Sequence, residues 1–326
     1  MLKQMALAPG STTIDQLRQQ CTELLTEQSG PAGHKAMADL DTRVQPADAA
    51  QDKPSQVEPS ALERRYGSEL AIRKNPFGIT AHRPNYLLIA AQNSTVNPEP
   101  FENEFDREID LDHTEAKFQI SLKFPLAVGL FNGRADLLAG YTNRSFWQLY
   151  NSDSAPFRET NHEPEIWLSF LNDAEIFGWR NAVNRIGFNH QSNGRGGDFL
   201  SRSWNRLYGH FLFEKGNQVL GIKPWWRIPE SDDDDDNPDI TDYLGYGEIA
   251  WSGTDGKNNV TVMLRNYLES GFSRGTTEFS WSFPIPGYSY LRGYLQVFNG
   301  YGESLIDYDS HNTSIGIGVN LSDWLE

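Results

Sequence analysis

The sequence predicts an all-β chain that closes as a twelve-stranded antiparallel transmembrane β-barrel, behind a mostly irregular, partly helical N-terminal extension. Three observations carry this expectation. Beyond about residue 80, segments rich in Tyr, Trp, Phe, Ile, Leu and Val alternate with turn residues, as successive strands do. The connections alternate short and long, which describes an up-and-down sheet with two unlike ends. No stretch reaches the ~18 consecutive apolar residues of a membrane-crossing helix, whereas a barrel strand needs only ~10 residues of alternating polarity.

The extension comes first. Ile14, Leu17, Cys21, Leu24 and Leu25 share one face at helical spacing, so a helix is expected from Thr13. Pro31, Pro46, Pro54 and Pro59 punctuate residues 27–59 without periodicity, and that stretch reads as linker. Ser60 and Glu63 have the spacing of a capping box, so a short helix is expected after them. Residues 1–75 are expected to form a periplasmic extension dispensable for activity, and residues 76–326 the barrel domain.

Twelve strand segments follow, near 84–93, 115–127, 134–149, 161–171, 175–191, 201–214, 218–229, 240–252, 258–269, 276–285, 288–300 and 311–323. Short links fall near 128–133, 172–174, 215–217, 253–257 and 286–287. Longer, more polar links occupy 94–114, 150–160, 192–200, 230–239, 270–275 and 301–310. Trp147, Trp167, Trp179, Trp204, Trp225, Trp226, Trp251 and Trp281 lie toward strand ends, where interfacial aromatic girdles would sit. Unpaired backbone groups are costly in hydrocarbon, so a sheet placed there must close. An even strand number closes with antiparallel pairing throughout, with apolar positions facing lipid and polar ones the lumen. A soluble β-sandwich with an aromatic core fits the same pattern and stays open at this level.

With 28 basic against 44 acidic residues and a formal net charge of -16, the chain lacks the basic footprint of a nucleic-acid binder. Cys21 is the single cysteine, which excludes a disulfide framework and a multi-cysteine zinc site. The opening residues lack the long apolar run of a signal peptide, which fits a cytosolic chain or one that begins after processing. No glycine-rich phosphate loop precedes a helix, so nucleotide chemistry is unsupported.

The stretch from Gly187 to Arg206 is richest in reactive side chains. His190 and Ser192 stand two apart at the end of an expected strand, so both point to one face. If the next strand pairs His190 with Asn205, Ser192 falls opposite Ser203 and Asn205 joins that face. Serine, histidine and asparagine would then be nucleophile, general base and orienting group. A neutral Asn fixes the imidazole tautomer but stabilises imidazolium less than a carboxylate would. The alternative is a surface loop with incidental polar residues, since seven histidines make a chance His-x-Ser common. His34, His82, His113, His162, His210 and His311 share no ligand spacing and read as structural or exposed. The run Asp232 to Asp236 suggests a cation site, because hard cations favour carboxylate oxygens. A solvated outer loop is the plainer reading of it.

The same stretch resembles the bacterial outer membrane phospholipase A family. The resembling residues are Asn189-His190, Ser192-Asn193-Gly194-Arg195 and Ser201-Arg202-Ser203-Trp204-Asn205-Arg206-Leu207-Tyr208. Asn151-Ser152, Pro156-Phe157-Arg158-Glu159-Thr160-Asn161, Lys223-Pro224-Trp225, Asp236-Asn237-Pro238-Asp239-Ile240 and Tyr301-Gly302-Glu303-Ser304-Leu305-Ile306-Asp307-Tyr308 complete it, together spanning about residues 75–323. The resemblance implies a twelve-stranded barrel of the Gram-negative outer membrane. It implies hydrolysis of phospholipid and lysophospholipid acyl esters at both sn-1 and sn-2, with Ca2+ required and the homodimer active. By motif match, Ser192 is implied as nucleophile, His190 as base and Asn205 as orienter, outside the barrel wall at outer-leaflet level.

The implied Ca2+ ligands are the Arg195 carbonyl and the Ser201 hydroxyl of one subunit with the Ser154 carbonyl of the other. Asp198 and Asp236 are implied for a second Ca2+ site within one subunit. This sequence departs from the family in two places. The loop from Gly194 to Ser201 is one residue longer, with Gly196-Gly197 in it. Asn143 stands where the family often has a membrane-buried glutamine that bonds across the dimer, and its reach is one carbon shorter. A lumen-facing Asn143 is the alternative to a dimer contact. A non-catalytic barrel (porin or adhesin) and a soluble all-β esterase are the competing functions. His190, Ser192 and Asn205 beside a calcium loop favour the hydrolase, because a pore has no need of that set facing lipid.

Overall fold

The computed structural model describes residues 59–323, except 74, 76, 77, 232 and 234. The helix expected from Thr13 and residues 27–58 of the expected linker lie outside them, as do Asp232, Asp234 and residues 324–326. The first element is helix α1, Ala61–Arg73. Its start is a reciprocal capping box. The Ser60 N–H donates to Glu63 Oε2 at 2.9 Å, and the Glu63 N–H donates to Ser60 Oγ at 3.0 Å. Both N–H groups would otherwise lack partners at a helix start.

The strands are β1 Thr80–Ala81, β2 Asn85–Asn93, β3 Thr114–Gly129, β4 Ala135–Trp147, β5 Phe157–Ile176 and β6 Trp179–Ser192. They continue with β7 Ser203–Lys215, β8 Gln218–Arg227, β9 Gly247–Thr254, β10 Asn259–Arg265, β11 Thr276–Ile285, β12 Tyr288–Tyr301 and β13 His311–Ser322. From β2 to β13 each strand pairs antiparallel with the next, and β13 pairs back onto β2, so the ring closes. β1 pairs with β3 at Lys123 and Leu122, just beyond the residues of β3 that β2 uses. β1 and β2 therefore form one stave broken at residues 82–84, and the barrel has twelve staves. No described helix is long and apolar enough to cross a membrane.

Side-chain parity defines the two faces. Along β3, Ile120, Leu122, Phe124, Leu126 and Val128 are exposed, while Lys117, Gln119, Ser121 and Lys123 between and before them are buried. Leu207, Ile222, Ile249, Ile315 and Ile317 continue the apolar exterior on other strands. A band of this kind in water would be an association site; around a closed barrel it is the surface that hydrocarbon covers. Inside, several charges are paired, which offsets the cost of withdrawing them from water. Arg83 Nη1 meets Glu163 Oε2 at 2.8 Å, Lys117 Nζ meets Glu303 Oε1 at 3.1 Å, and Arg158 Nε meets Glu115 Oε2 at 3.0 Å.

α1 lies at the short-turn end. Ala61 and Leu62 are buried against Ala182, Val183, Leu212 and Val219 of the β6–β8 staves. Arg65 Nη2 donates to the carbonyls of Ala81 and His82, each at 3.1 Å, across the break in the first stave.

Four sequence expectations change. Trp167, Trp204 and Trp225 do not join a lipid-facing girdle. They pack inside with Tyr208, Ile240, Leu244, Leu305 and Tyr308. Parity requires this, since Trp225 adjoins the exposed Trp226 and Trp204 lies between outward-facing Ser203 and Asn205. The lumen therefore holds an apolar cluster as well as charges. The turn expected at 172–174 falls instead at Phe177 and Gly178, both with positive φ. Asn172 and Asp173 form an irregularity between Leu171 and Ala174, so they bulge the β5 strand without ending it. The strand expected from residue 240 starts as a short helix, α3 (Ile240–Leu244; α2 lies earlier, at Glu99–Phe105), which Gly245 ends at φ 64. The 94–114 link, which reads in sequence as a long polar connection, contains α2.

Candidate active site

β6 and β7 pair with His190 opposite Asn205 and Ser192 opposite Ser203. Alternation from the exposed Ile186 and Phe188 places His190 and Ser192 on the outer wall, at the long-loop end of the apolar band. Alternation from the exposed Leu207 places Asn205 and Ser203 there too. Asn205 Oδ1 lies 2.9 Å from His190 Nδ1. An amide oxygen accepts only, so Nδ1 carries the proton and Nε2 keeps its lone pair for the Ser192 side. No hydrogen bond joins Ser192 to His190 here; such catalytic contacts commonly tighten only with substrate. Asn205 Nδ2 donates to Glu230 Oε1 at 2.8 Å.

The inner face behind these residues is tightly bonded. Asn189 and Gln191 alternate with His190 and Ser192 and point into the lumen. Arg206 Nη2 donates to Asn189 Oδ1 at 2.5 Å and to Glu163 Oε1 at 3.2 Å, and its guanidinium lies 4.0 Å from the Trp204 ring centroid. Trp204 Nε1 donates to Gln191 Oε1 at 2.9 Å. The two strands are thus held to each other from behind the wall.

One strand over, His162 pairs with Ser192 and with Asn143. Tyr141 Oη lies 2.6 Å from His162 Nδ1. Asn143 also lies opposite the exposed Ile120, which puts it on the outer wall and not in the lumen. Its Oδ1 accepts from Ser145 Oγ at 3.0 Å. In the sequence His162 reads as structural or exposed. Its place beside Ser192 depends on the β5–β6 register, which the misplaced turn concealed.

The loop between β6 and β7 is organised by Asn193, 5% exposed. Its Oδ1 accepts from the N–H groups of Arg195 at 3.2 Å and Arg202 at 3.1 Å, and its Nδ2 donates to the Leu200 carbonyl at 2.7 Å. Arg195 Nη2 donates to the Arg158 carbonyl at 2.8 Å. Gly197 has φ 99, and a Cβ there would come within 2.4 Å of Glu104 Oε1. The positive φ favours glycine at this position of the longer loop, and the Glu104 carboxylate of α2 sits against it.

Ser201 Oγ donates to Asp236 Oδ2 at 2.7 Å, which brings together one residue from each of the two expected Ca2+ sites. Asp198 is exposed on the same loop and makes no hydrogen bond to Asp236. Ser154 lies on the separate 148–156 loop, where its N–H reaches Asn151 Oδ1 at 3.4 Å. Among the described residues, no three His, Cys, Asp or Glu side chains gather as a metal site. The two oxygens that meet, the Ser201 hydroxyl and the Asp236 carboxylate, are of the hard type that suits Ca2+. In the other part of the acidic run, Arg227 Nη2 pairs with Asp235 at 2.5 Å.

Residues 62–321 match the sequence model of the phospholipase A1 family. Phospholipase A1 of Escherichia coli (strain K12) is 42% identical over 250 residues, covering 76% of this chain and 83% of that protein. Phospholipase A1 of Klebsiella pneumoniae is 38% identical over 275 residues, covering 84% and 93%. Among solved structures, outer membrane phospholipase A from Escherichia coli aligns with TM-score 0.68 at 40% identity, covering 76% of this chain and 100% of that one. The Salmonella typhi outer membrane phospholipase dimer with bound calcium aligns with TM-score 0.70 at 40% identity, covering 76% and 94%.

Proposed function

This chain belongs to the phospholipase A1 family of outer-membrane barrels, and from that premise we propose that Ser192, His190 and Asn205 hydrolyse acyl esters of phospholipids and lysophospholipids, at both sn-1 and sn-2. The observation that carries the reading is the 2.9 Å contact of His190 Nδ1 with Asn205 Oδ1, in register beside Ser192 on the lipid-facing wall. With Nδ1 protonated, His190 Nε2 takes the Ser192 Oγ proton as Oγ attacks the ester carbonyl. The imidazolium returns that proton to the leaving glycerol oxygen when the ester C–O bond breaks. Water then attacks the acyl-serine, His190 again removes and returns one proton, and the fatty acid leaves.

The Arg195 carbonyl and the Ser201 hydroxyl would hold Ca2+ with the carbonyl of Ser154 of the partner subunit, and Asp198 and Asp236 would serve a second Ca2+ within one subunit. Bound Ca2+ supplies positive charge beside the developing oxyanion, which is commonly a large term in acyl transfer. Ligands shared between subunits make the homodimer the active form, and outward-facing Asn143 is placed to contact its copy across that interface. The site then works at the level of the outer leaflet, where the substrate esters lie.

The test is fatty-acid release from phospholipid vesicles carrying the purified, folded protein. Turnover is expected with Ca2+, to vanish on chelation, and to return on re-addition. Ser192→Ala is expected to lower turnover at least ~1000-fold while the barrel stays folded on a heat-modifiability gel. Near-normal turnover by Ser192→Ala would overturn the assignment.

A further inference from the structure

We infer that Glu230 is a positioning residue for Asn205, resting on the reading of Ser192 and His190 given above. The fold brings it there. The sheet continues past the end of β8, because the Ile228 N–H donates to the Asn205 carbonyl at 2.8 Å. Ile228 is thus the cross-strand partner of Asn205. Two residues on, Glu230 returns to the same outer face and stands diagonal to Asn205, a separation that long side chains span. Its Oε1 accepts from Asn205 Nδ2 at 2.8 Å, while Asn205 Oδ1 faces His190 Nδ1 at 2.9 Å.

The chemistry of the amide makes this contact matter. The two ends of an Asn side chain are nearly equal in size and opposite in role: oxygen accepts, nitrogen donates. A half-turn about the terminal bond exchanges them. In the flipped state Asn205 would present N–H to His190 Nδ1. The imidazole would then take the other tautomer, with its proton on Nε2, where it cannot receive the Ser192 proton. A carboxylate accepts and never donates, so Glu230 satisfies only the orientation in which Nδ2 faces it and Oδ1 faces His190. A triad with an Asp in third place needs no such guard, because its two oxygens are equivalent. A triad with Asn does, and here a fourth residue supplies it.

The experiment compares Glu230→Gln and Glu230→Asp in the parent and in an Asn205→Asp background, with Ser192→Ala alongside. All are assayed as folded protein in calcium-loaded micelles with a short-chain lysophospholipid. Gln offers either an oxygen or an NH2 to Asn205 and so holds neither orientation. In the parent, Glu230→Gln is expected to lower kcat roughly tenfold, with KM within about twofold, as befits loss of a charge-assisted hydrogen bond. Glu230→Asp should restore most of kcat. In the Asn205→Asp background the sign should reverse. There is no amide to orient, and Glu230 faces a second carboxylate, so Glu230→Gln should leave kcat unchanged or raise it. Unchanged kcat for Glu230→Gln in the parent, or an equal loss in both backgrounds, would overturn the inference while leaving Ser192 as nucleophile. Where the double variant is too slow to read, the Gln and Asp variants at position 230 decide alone. Retained turnover by Ser192→Ala would remove the site reading and this inference with it.

Discussion

Asn193 shows how much a single amide can determine. It accepts from two loop N–H groups and donates to one loop carbonyl, so the 193–202 loop is built around it. Asn193→Ala would leave those groups unpaired in a buried setting, at a cost of about 2 kcal/mol or more. The carbonyl of Arg195 and the hydroxyl of Ser201 would then lose their fixed separation. The expected outcome is at least a ~10-fold rise in the Ca2+ concentration for half-maximal hydrolysis, read from a calcium titration; an unchanged midpoint would mean that Asn193 does not shape the ligand set. Glu303 gives a pH prediction at the same scale. Burial alone would raise its carboxyl, but Lys117 at 3.1 Å and hydrogen bonds from Ser314 and Asn312 outweigh burial and hold it below the usual range. A depressed carboxyl adds stability that is complete above its unfolded value, near 4.5, and is lost as pH falls through the lower folded value. Glu303→Gln should therefore cost on the order of 3 kcal/mol near neutrality, by stranding buried Lys117. It should also flatten the loss of stability below about pH 4.5, as urea midpoints from pH 7 to pH 3 would show. Parallel pH curves for parent and variant would refute the coupling.

At the scale of elements, the start of α1 was legible and its destination was not. A capping box is a local pattern, and Ser60 with Glu63 forms it in full. Among the described side chains the docking face comprises Ala61, Leu62 and half-buried Tyr66, and Arg65, a charged residue, is turned inward beside them toward backbone carbonyls, which no apolar period announces. Leu62→Ala is expected to lower the unfolding free energy by ~2–4 kcal/mol, the range for truncating a buried leucine, measured by urea unfolding in micelles. No change would mean that α1 is incidental to the barrel. The β6–β7 register was legible for a similar local reason. Two neighbouring strands joined by one loop admit few alignments, and parity then fixes which side chains share a face. Glu230, His162 and Asn193 escaped because each acts across a register or inside a loop that no period describes. Asn172-Asp173 misled for the opposite reason: two good turn residues in sequence, absorbed here by a bulge.

For the whole molecule, the alternation that predicted a barrel also predicts its solvent. Strand count and closure follow equally from a soluble barrel; what separates the two is the cost of a charge on the outer face. Leu122 is 41% exposed in the middle of β3, flanked on the same face by exposed Ile120 and Phe124, and lies between lumen-facing Ser121 and Lys123. On a water-facing wall Leu122→Arg would change stability by no more than ~0.5 kcal/mol, as most surface substitutions do. On a wall covered by hydrocarbon it should cost ~2–4 kcal/mol, and less the nearer the site lies to the membrane surface. The depth dependence can be read on the same strand, because Val128 is exposed at its short-turn end and Val128→Arg should cost less than Leu122→Arg. Reversible urea unfolding in phospholipid vesicles measures both. A gradient from Leu122 to Val128 would locate the bilayer along β3 and fix, on the same scale, how far from its midplane Ser192 lies; two equal and negligible costs would place the outer wall in water and end the membrane reading.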